Sequence, residues 1–253
     1  MSRRITFDPP IIAHRGVSRM APENTLAAFR KAKELGIHWV EFDVMLSSDD
    51  IAVVIHDETL DRTTGFNGNV GDFPYRFLKT LDAGSWFDPS FSKERIPTLA
   101  DVINLLNELK LSANIEIKAQ PGKEDQTVKR VMDVIEAHWG NISMPPLISS
   151  FSISILEKIR AHSARSLIGF LMHEWRKDWE DVCDDLQAIA VDVNHKILDP
   201  EKVKSIKATQ RALLAYTVND VGLANKLYSW GVDAVFSDTP NELLKGAIKP
   251  GLG

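Results

Sequence analysis

The amino-acid sequence predicts a single (β/α)8 barrel, and three observations carry that prediction. Eight short apolar runs alternate with amphipathic stretches from one end of the chain to the other, the pattern of repeated strand–helix units. The runs are almost continuously apolar, as strands are when a parallel sheet is buried on both faces. The length of 253 residues is that of one such barrel. A doubly wound open sheet is the alternative that this pattern allows.

The elements follow in order. Ile11–Ala13 and Trp39–Val44 read as the first two strands, and between them Leu26, Phe29 and Ala32 share one face of a helix over Thr25–Leu35. Asn24 is its expected N-cap and Gly36 follows its end. The remaining strands are expected at Ser112–Ile117, Pro146–Ser149, Leu167–Leu171, Ile189–Val193, Ala212–Tyr216 and Ala234–Phe236. Helical spacing centres on Leu99–Leu109, Thr127–His138, Ile153–Ala161, Trp175–Leu186, Pro200–Lys207, Asp220–Trp230 and Asn241–Ile248. One interval breaks the rhythm. A possible extra strand, Ile51–Ile55, leads into a stretch rich in Gly, Asn, Asp, Pro and aromatic residues that ends near Pro97. A structureless loop of that length inside a compact domain implies a function. It reads as an insertion over one end of the barrel, at about 57–91, because no linker composition sets it off as a second domain. Its Phe66, Phe73, Tyr75, Phe77, Trp86 and Phe91 suit a small satellite core better than an exposed lipid-binding face.

Composition narrows the function. A net charge of −5 argues against nucleic acid as a partner, while leaving room for a local positive site for one small anion. No apolar run approaches a membrane span or a secretory leader, so a cytoplasmic protein without stable membrane insertion is expected, as a monomer or homodimer. The Asn141-Ile142-Ser143 sequon then carries no meaning. Cys183 is the one cysteine; acidic neighbours would raise its pKa, so it reads as a packed structural thiol.

The chemistry gathers at strand ends. Glu41 and Asp43 are two apart on a strand and so project from the same face. Two adjacent carboxylates repel unless a cation lies between them or one is protonated. Glu116 and Lys118 repeat the spacing at the end of the Ser112–Ile117 strand, where a simple salt bridge is the plainer reading. Taken together, three carboxylates from two strands favour one hard divalent cation bound through oxygen, Mg2+ or Ca2+, over zinc, which recruits more Cys or His. His14 follows the first strand and His56 the extra strand. A histidine at a strand end is usually structural, but two at carboxyl-terminal ends that converge in a barrel can serve as acid and base. Arg15 offers a planar donor fork suited to phosphate oxygens. His38, His138, His162 and His195 read as structural, and His173-Glu174 does not open a zinc-protease helix because position 177 is Lys.

These residues fall into an ordered set: Ala13-His14-Arg15-Gly16, Pro22-Glu23-Asn24-Thr25, Glu41-Phe42-Asp43, His56-Asp57 and Leu60-Asp61-Arg62-Thr63-Thr64. It continues with Ile115-Glu116-Ile117-Lys118, Ser150-Phe151, Thr217-Val218-Asn219 and Gly231-Val232-Asp233-Ala234. The set resembles the glycerophosphodiester phosphodiesterase family, and the resemblance spans essentially the whole chain. It implies a TIM-type barrel with a small insertion after the second strand. It implies Glu41, Asp43 and Glu116 as metal ligands, His14 and His56 as acid and base, and Arg15 and Lys118 as phosphoryl-binding groups. Tyr216 and Glu23 become candidate substrate contacts. The implied reaction turns a small-molecule glycerophosphodiester and water into sn-glycerol 3-phosphate and an alcohol such as choline, ethanolamine or glycerol. A lipid-directed phosphodiesterase of the same superfamily is the alternative. One departure stands out: Tyr216 precedes Thr-Val-Asn where many members carry Trp, which bears on headgroup preference.

Overall fold

The computed structural model describes residues 5–140 and 144–246. The Asn141 sequon, the first four residues and the end of the last expected helix lie outside the described residues. Eight parallel strands close on themselves: β1 (Ile11–Ala13), β2 (Trp39–Leu46), β4 (Ser112–Ile117), β5 (Leu147–Ser150), β6 (Leu167–Met172), β7 (Ala190–Asn194), β8 (Ala212–Tyr216) and β9 (Ala234–Ser237). The β1–β9 and β1–β2 pairings complete the ring, so the barrel is closed and the open-sheet alternative does not arise.

Alternation along each strand sorts the side chains. Val40, Phe42, Val44 and Leu46 on β2 face the helical layer, where Phe42 meets the Phe29 ring edge-on at 5.5 Å. Ala113, Ile115 and Ile117 do the same on β4. Each large apolar side chain buried this way contributes on the order of 1.5–3 kcal/mol. The residues between them point into the barrel. At its amino-terminal end the interior is apolar, packed by Ile5, Ile12, Trp39, Leu147, Leu167 and Leu214, with the Phe7 ring tilted against Trp39 at 4.8 Å. Higher on the same inward faces stand Glu41, Asp43, Asn114 and Glu116, so the interior turns from apolar to acidic along its axis.

The extra strand, β3 (Ala52–Val54), runs antiparallel to β2. Beyond Val44, β2 has no β4 partner; it overshoots the barrel, and β3 folds back down beside it, with the Ile55 amide bonded to the Asp43 carbonyl. His56 therefore does not sit at the carboxyl end of a barrel strand, as the sequence suggests. It reaches the same place because the returning strand delivers it beside Asp43. The segment from Asp57 to Thr98 forms short helical turns at Asp61–Thr64, Val70–Asp72, Tyr75–Leu78 and Pro89–Phe91. Its Phe66, Phe73 and Phe77 rings pack on one another around Leu60, Val70 and Leu78, together with Met45, Val53 and Ile55 from the strand pair. Most of the aromatic residues here thus serve a satellite core; Trp86 remains 40% exposed.

Two local expectations are corrected. The first helix, Leu26–Glu34, is capped by Thr25, whose hydroxyl accepts from the Ala28 amide; Asn24 adopts a left-handed φ of 57° and turns into the barrel. The helix expected over Trp175–Leu186 covers only Trp179–Asp185, because Trp175 packs back against the Trp179 ring and lies beneath the Lys202 ammonium. No helix among the described residues is long and apolar enough to cross a membrane.

Cys183 is fully buried, and burial pushes its thiol pKa up to about 12. The folded protein is therefore expected to leave a thiol reagent such as DTNB unreacted at neutral pH and to consume one equivalent on denaturation. Rapid stoichiometric reaction of the folded protein would contradict this packing.

Candidate active site

The turn after β1 is tight. Arg15 and Gly16 both have positive φ, and a Cβ at Gly16 would stand 2.6 Å from that of Ala28, so only glycine lets the turn lie against the first helix. This close approach aims the Arg15 amide at Glu41 Oε2, which accepts it at 2.9 Å. The His14 ring reaches the same oxygen, with Nε2 3.9 Å away.

Glu41, Asp43 and Glu116 each contribute an oxygen to a group lying within 4.8 Å of one another. Burial and the neighbouring Asp43 push Glu41 up to about 8. Glu116 is raised by the same causes. Burial also works to raise Asp43, but Lys118 and Arg15 outweigh it and hold the carboxyl well below its usual range. Lys118 Nζ lies 2.6 Å from Glu116 Oε1 and 2.9 Å from Asp43 Oδ1, and so bridges two of the three acids. Asn24 donates to Asp43 Oδ2 at 2.9 Å and orients it. Three carboxylates against one ammonium and one guanidinium leave this centre with an excess negative charge. All-oxygen donors with that excess, one of them raised toward neutrality, fit a hard divalent cation. Arg15 Nε is buried 3.4 Å from Asp43 Oδ2, an ion-pair contact without a hydrogen bond.

The two imidazoles flank this centre, each held by a carboxylate. His14 Nδ1 is 2.6 Å from Asp238 Oδ1, and His56 Nδ1 is 2.6 Å from Asp57 Oδ1. Their electrostatics differ. Burial disfavours the charged form of His14, but the hydrogen bond to Asp238 and the nearby Glu41 outweigh it and raise the pKa. At His56 burial, reinforced by Arg15 and Lys118, prevails over Asp43 and Asp57 and lowers it.

Both rings line a pocket at the carboxyl-terminal face of the barrel, together with Arg15, Glu41, Glu116, Lys118, Phe151 and Tyr216. Phe151, 46% exposed, stands edge-on to Tyr216 at 6.0 Å, and the Tyr216 hydroxyl donates to the Met172 carbonyl. Glu23 is not part of the lining. Its carboxylate accepts from Arg15 at 3.0 Å and takes two bonds from Arg62, which also donates to Asp57. His195 lies in a short turn after β7, away from the lining. The structure thus brings together His14, Arg15, Glu41, His56, Glu116, Lys118 and Tyr216 in one pocket, with Asp43 against Lys118 and Glu23 against Arg15. Sequence reasoning passed over Asn24, Asp238 and Asp192. Asp238 could have been found as the acid directly after the last strand. Asp192 is wholly buried on β7, where burial, Glu116 and Glu41 push its carboxyl well above the usual range.

Oxygen donors for a hard cation, two titratable rings and two fixed positive charges at the catalytic face of a barrel define a hydrolase for phosphate esters. The sequence model of the glycerophosphoryl diester phosphodiesterase family matches residues 14–242, and the chain belongs to that family. It is 35% identical over 245 residues to a glycerophosphodiester phosphodiesterase of Caldanaerobacter subterraneus subsp. tengcongensis, covering 95% of this chain and 98% of that one. Among solved structures, an Oleispira antarctica phosphodiesterase in complex with the product sn-glycerol 3-phosphate superposes with a TM-score of 0.91. That protein is 39% identical, over 94% of this chain and 96% of its own. A glycerophosphodiester phosphodiesterase from Agrobacterium tumefaciens superposes with a TM-score of 0.78 at 26% identity, over 95% of this chain and all of that one.

Proposed function

We propose that the protein hydrolyses glycerophosphodiesters to sn-glycerol 3-phosphate and an alcohol, in a reaction that depends on one divalent cation, Mg2+ or Ca2+. The observation that carries the reading is the convergence of Glu41, Asp43 and Glu116 beside two carboxylate-held imidazoles, in a chain of this family. Glu41, Asp43 and Glu116 would hold the ion, which when bound supplies positive charge against the non-bridging phosphate oxygens. Charge supports the assignment: a divalent ion and one phosphodiester monoanion together bring the three acids, Arg15 and Lys118 to neutrality. Arg15 and Lys118 bind the phosphoryl group, Arg15 being braced from behind by Glu23. His14 and His56 share acid–base duty, one taking a proton from the nucleophile and the other giving one to the departing alcohol. The nucleophile is either the adjacent glycerol hydroxyl or water. A substrate analogue without that hydroxyl separates the two routes, since undiminished turnover excludes internal attack. Phe151 and Tyr216 form an aromatic lip for the organic part of the substrate.

The test is release of glycerol 3-phosphate from glycerophosphocholine, glycerophosphoethanolamine and glycerophosphoglycerol, with and without chelator. Turnover that chelator abolishes and added Mg2+ or Ca2+ restores is expected. Absence of release from all three, or release indifferent to chelator, contradicts the reading. The lipid-directed alternative has less to stand on, because the aromatic residues that would face a bilayer are largely spent on the satellite core.

A further inference from the structure

We infer that Asp238 and Asn219 form a lock that fixes the tautomer of His14, keeping its proton on Nδ1 and leaving Nε2 free to accept a proton on the pocket side. The inference rests on the functional reading above for its kinetic consequence, but not for its geometry.

The lock is built from the chain that follows β8 and β9. Asn219 Oδ1 accepts the Asp238 backbone amide at 2.8 Å and the Ser237 hydroxyl at 3.1 Å. A backbone N–H is an invariable donor, so the Asn219 amide cannot be flipped without setting two donors against each other. Its Nδ2 must therefore face Asp238, and it donates to Oδ2 at 2.8 Å. The other carboxylate oxygen, Oδ1, accepts from the Ser18 hydroxyl at 3.0 Å and meets His14 Nδ1 at 2.6 Å. An acceptor-only atom at that distance demands a hydrogen on Nδ1. The neutral ring then carries its lone pair on Nε2, which lies 3.9 Å from Glu41 Oε2. Asp238 and Asn219 act through His14 and are positioning residues.

The orientation of Asn219 makes the outcome of substitution calculable. In Asp238→Asn the new side chain must present its oxygen to Asn219 Nδ2, and its NH2 group then faces His14 Nδ1. That forces the lone pair onto Nδ1 and the proton onto Nε2, the wrong tautomer for a base on the pocket side. In the double swap, Asp238→Asn with Asn219→Asp, the carboxylate introduced at position 219 still accepts the backbone amide of position 238. It now also accepts from the NH2 group introduced at position 238. The amide oxygen of that side chain turns back to His14, and the original tautomer returns.

The experiment has two arms. Glycerophosphocholine turnover in excess Mg2+ is measured for the wild type, Asp238→Asn and the double swap, with thermal unfolding recorded in parallel. Asp238→Asn should lower kcat by at least ~100-fold with KM changed little, the scale of a mis-set catalytic histidine. The double swap should recover at least ~10-fold of that loss, a rescue that lost packing would not give. An Asp238→Asn variant within ~3-fold of wild-type kcat, or a swap no better than the single variant, overturns the lock. The second arm needs neither a variant nor turnover: 15N chemical shifts of the histidine rings of the wild type in alkaline solution. The Nδ1–H tautomer at neutral His14 is expected, and the Nε2–H tautomer overturns the inference. A wild type that releases no glycerol 3-phosphate would refute the functional reading alone, since the ring shifts still report the tautomer.

Discussion

Glu41→Gln is expected to reduce turnover by roughly 10³-fold or more even in excess Mg2+, the loss of several kcal/mol of charge stabilisation, while leaving the fold intact. The side chain is 4% exposed and nearly isosteric with Gln, and the amide oxygen can still accept from the Arg15 amide. What changes is charge. Burial and Asp43 raise Glu41 to about 8, so its anionic form gains from a nearby cation. Without metal, a Glu41 pKa of about 8 leaves the group mostly protonated at neutral pH, so the exchange for Gln removes little charge and the unfolding temperature should hold. Paired kcat and thermal-melt measurements check both halves. A variant with near-normal kcat contradicts the metal-centre reading; one with a collapsed melt shows that Glu41 is chiefly structural.

The second large effect concerns the imidazoles. His14→Ala and His56→Ala should each lower kcat by about 10²–10⁴, the usual contribution of a general acid or base. Because both rings act on the same turnover, the double variant should lose less than the product of the single losses. Steady-state kinetics on the three variants read this directly. Near-normal kcat in both single variants removes the histidines from proton transfer.

How far the sequence led can be judged from these same residues. The barrel was legible because apolar runs buried on both faces leave a plain signature, and all eight strands lie where the pattern put them, within a residue or two. The acids on β2 and β4 were legible because a two-residue period forces Glu41 with Asp43, and Glu116 with Lys118, onto a shared face. What the sequence did not carry was anything set by tertiary closure. Asn24 has the composition of an N-cap, and only the left-handed turn beside Thr25 sends it to Asp43 instead. Asp238 lies 224 residues from His14, and only ring closure through β1 and β9 makes them neighbours. His56 was placed near the site as a residue at the carboxyl end of a strand among ends that converge, whereas an antiparallel return beside β2 delivers it. Glu23 was a candidate for substrate contact; its two arginine partners, one from the segment after β3, come into view only in three dimensions.

Crystals soaked in Mn2+, with anomalous scattering recorded at the manganese edge, would show whether the three acids hold an ion. A single strong peak is expected with an oxygen from each of Glu41, Asp43 and Glu116 at about 2–2.6 Å, the range of hard-cation ligation, on the side of the pocket where both imidazoles stand. A map with no peak among these three carboxylates, or with the ion held elsewhere, would contradict it.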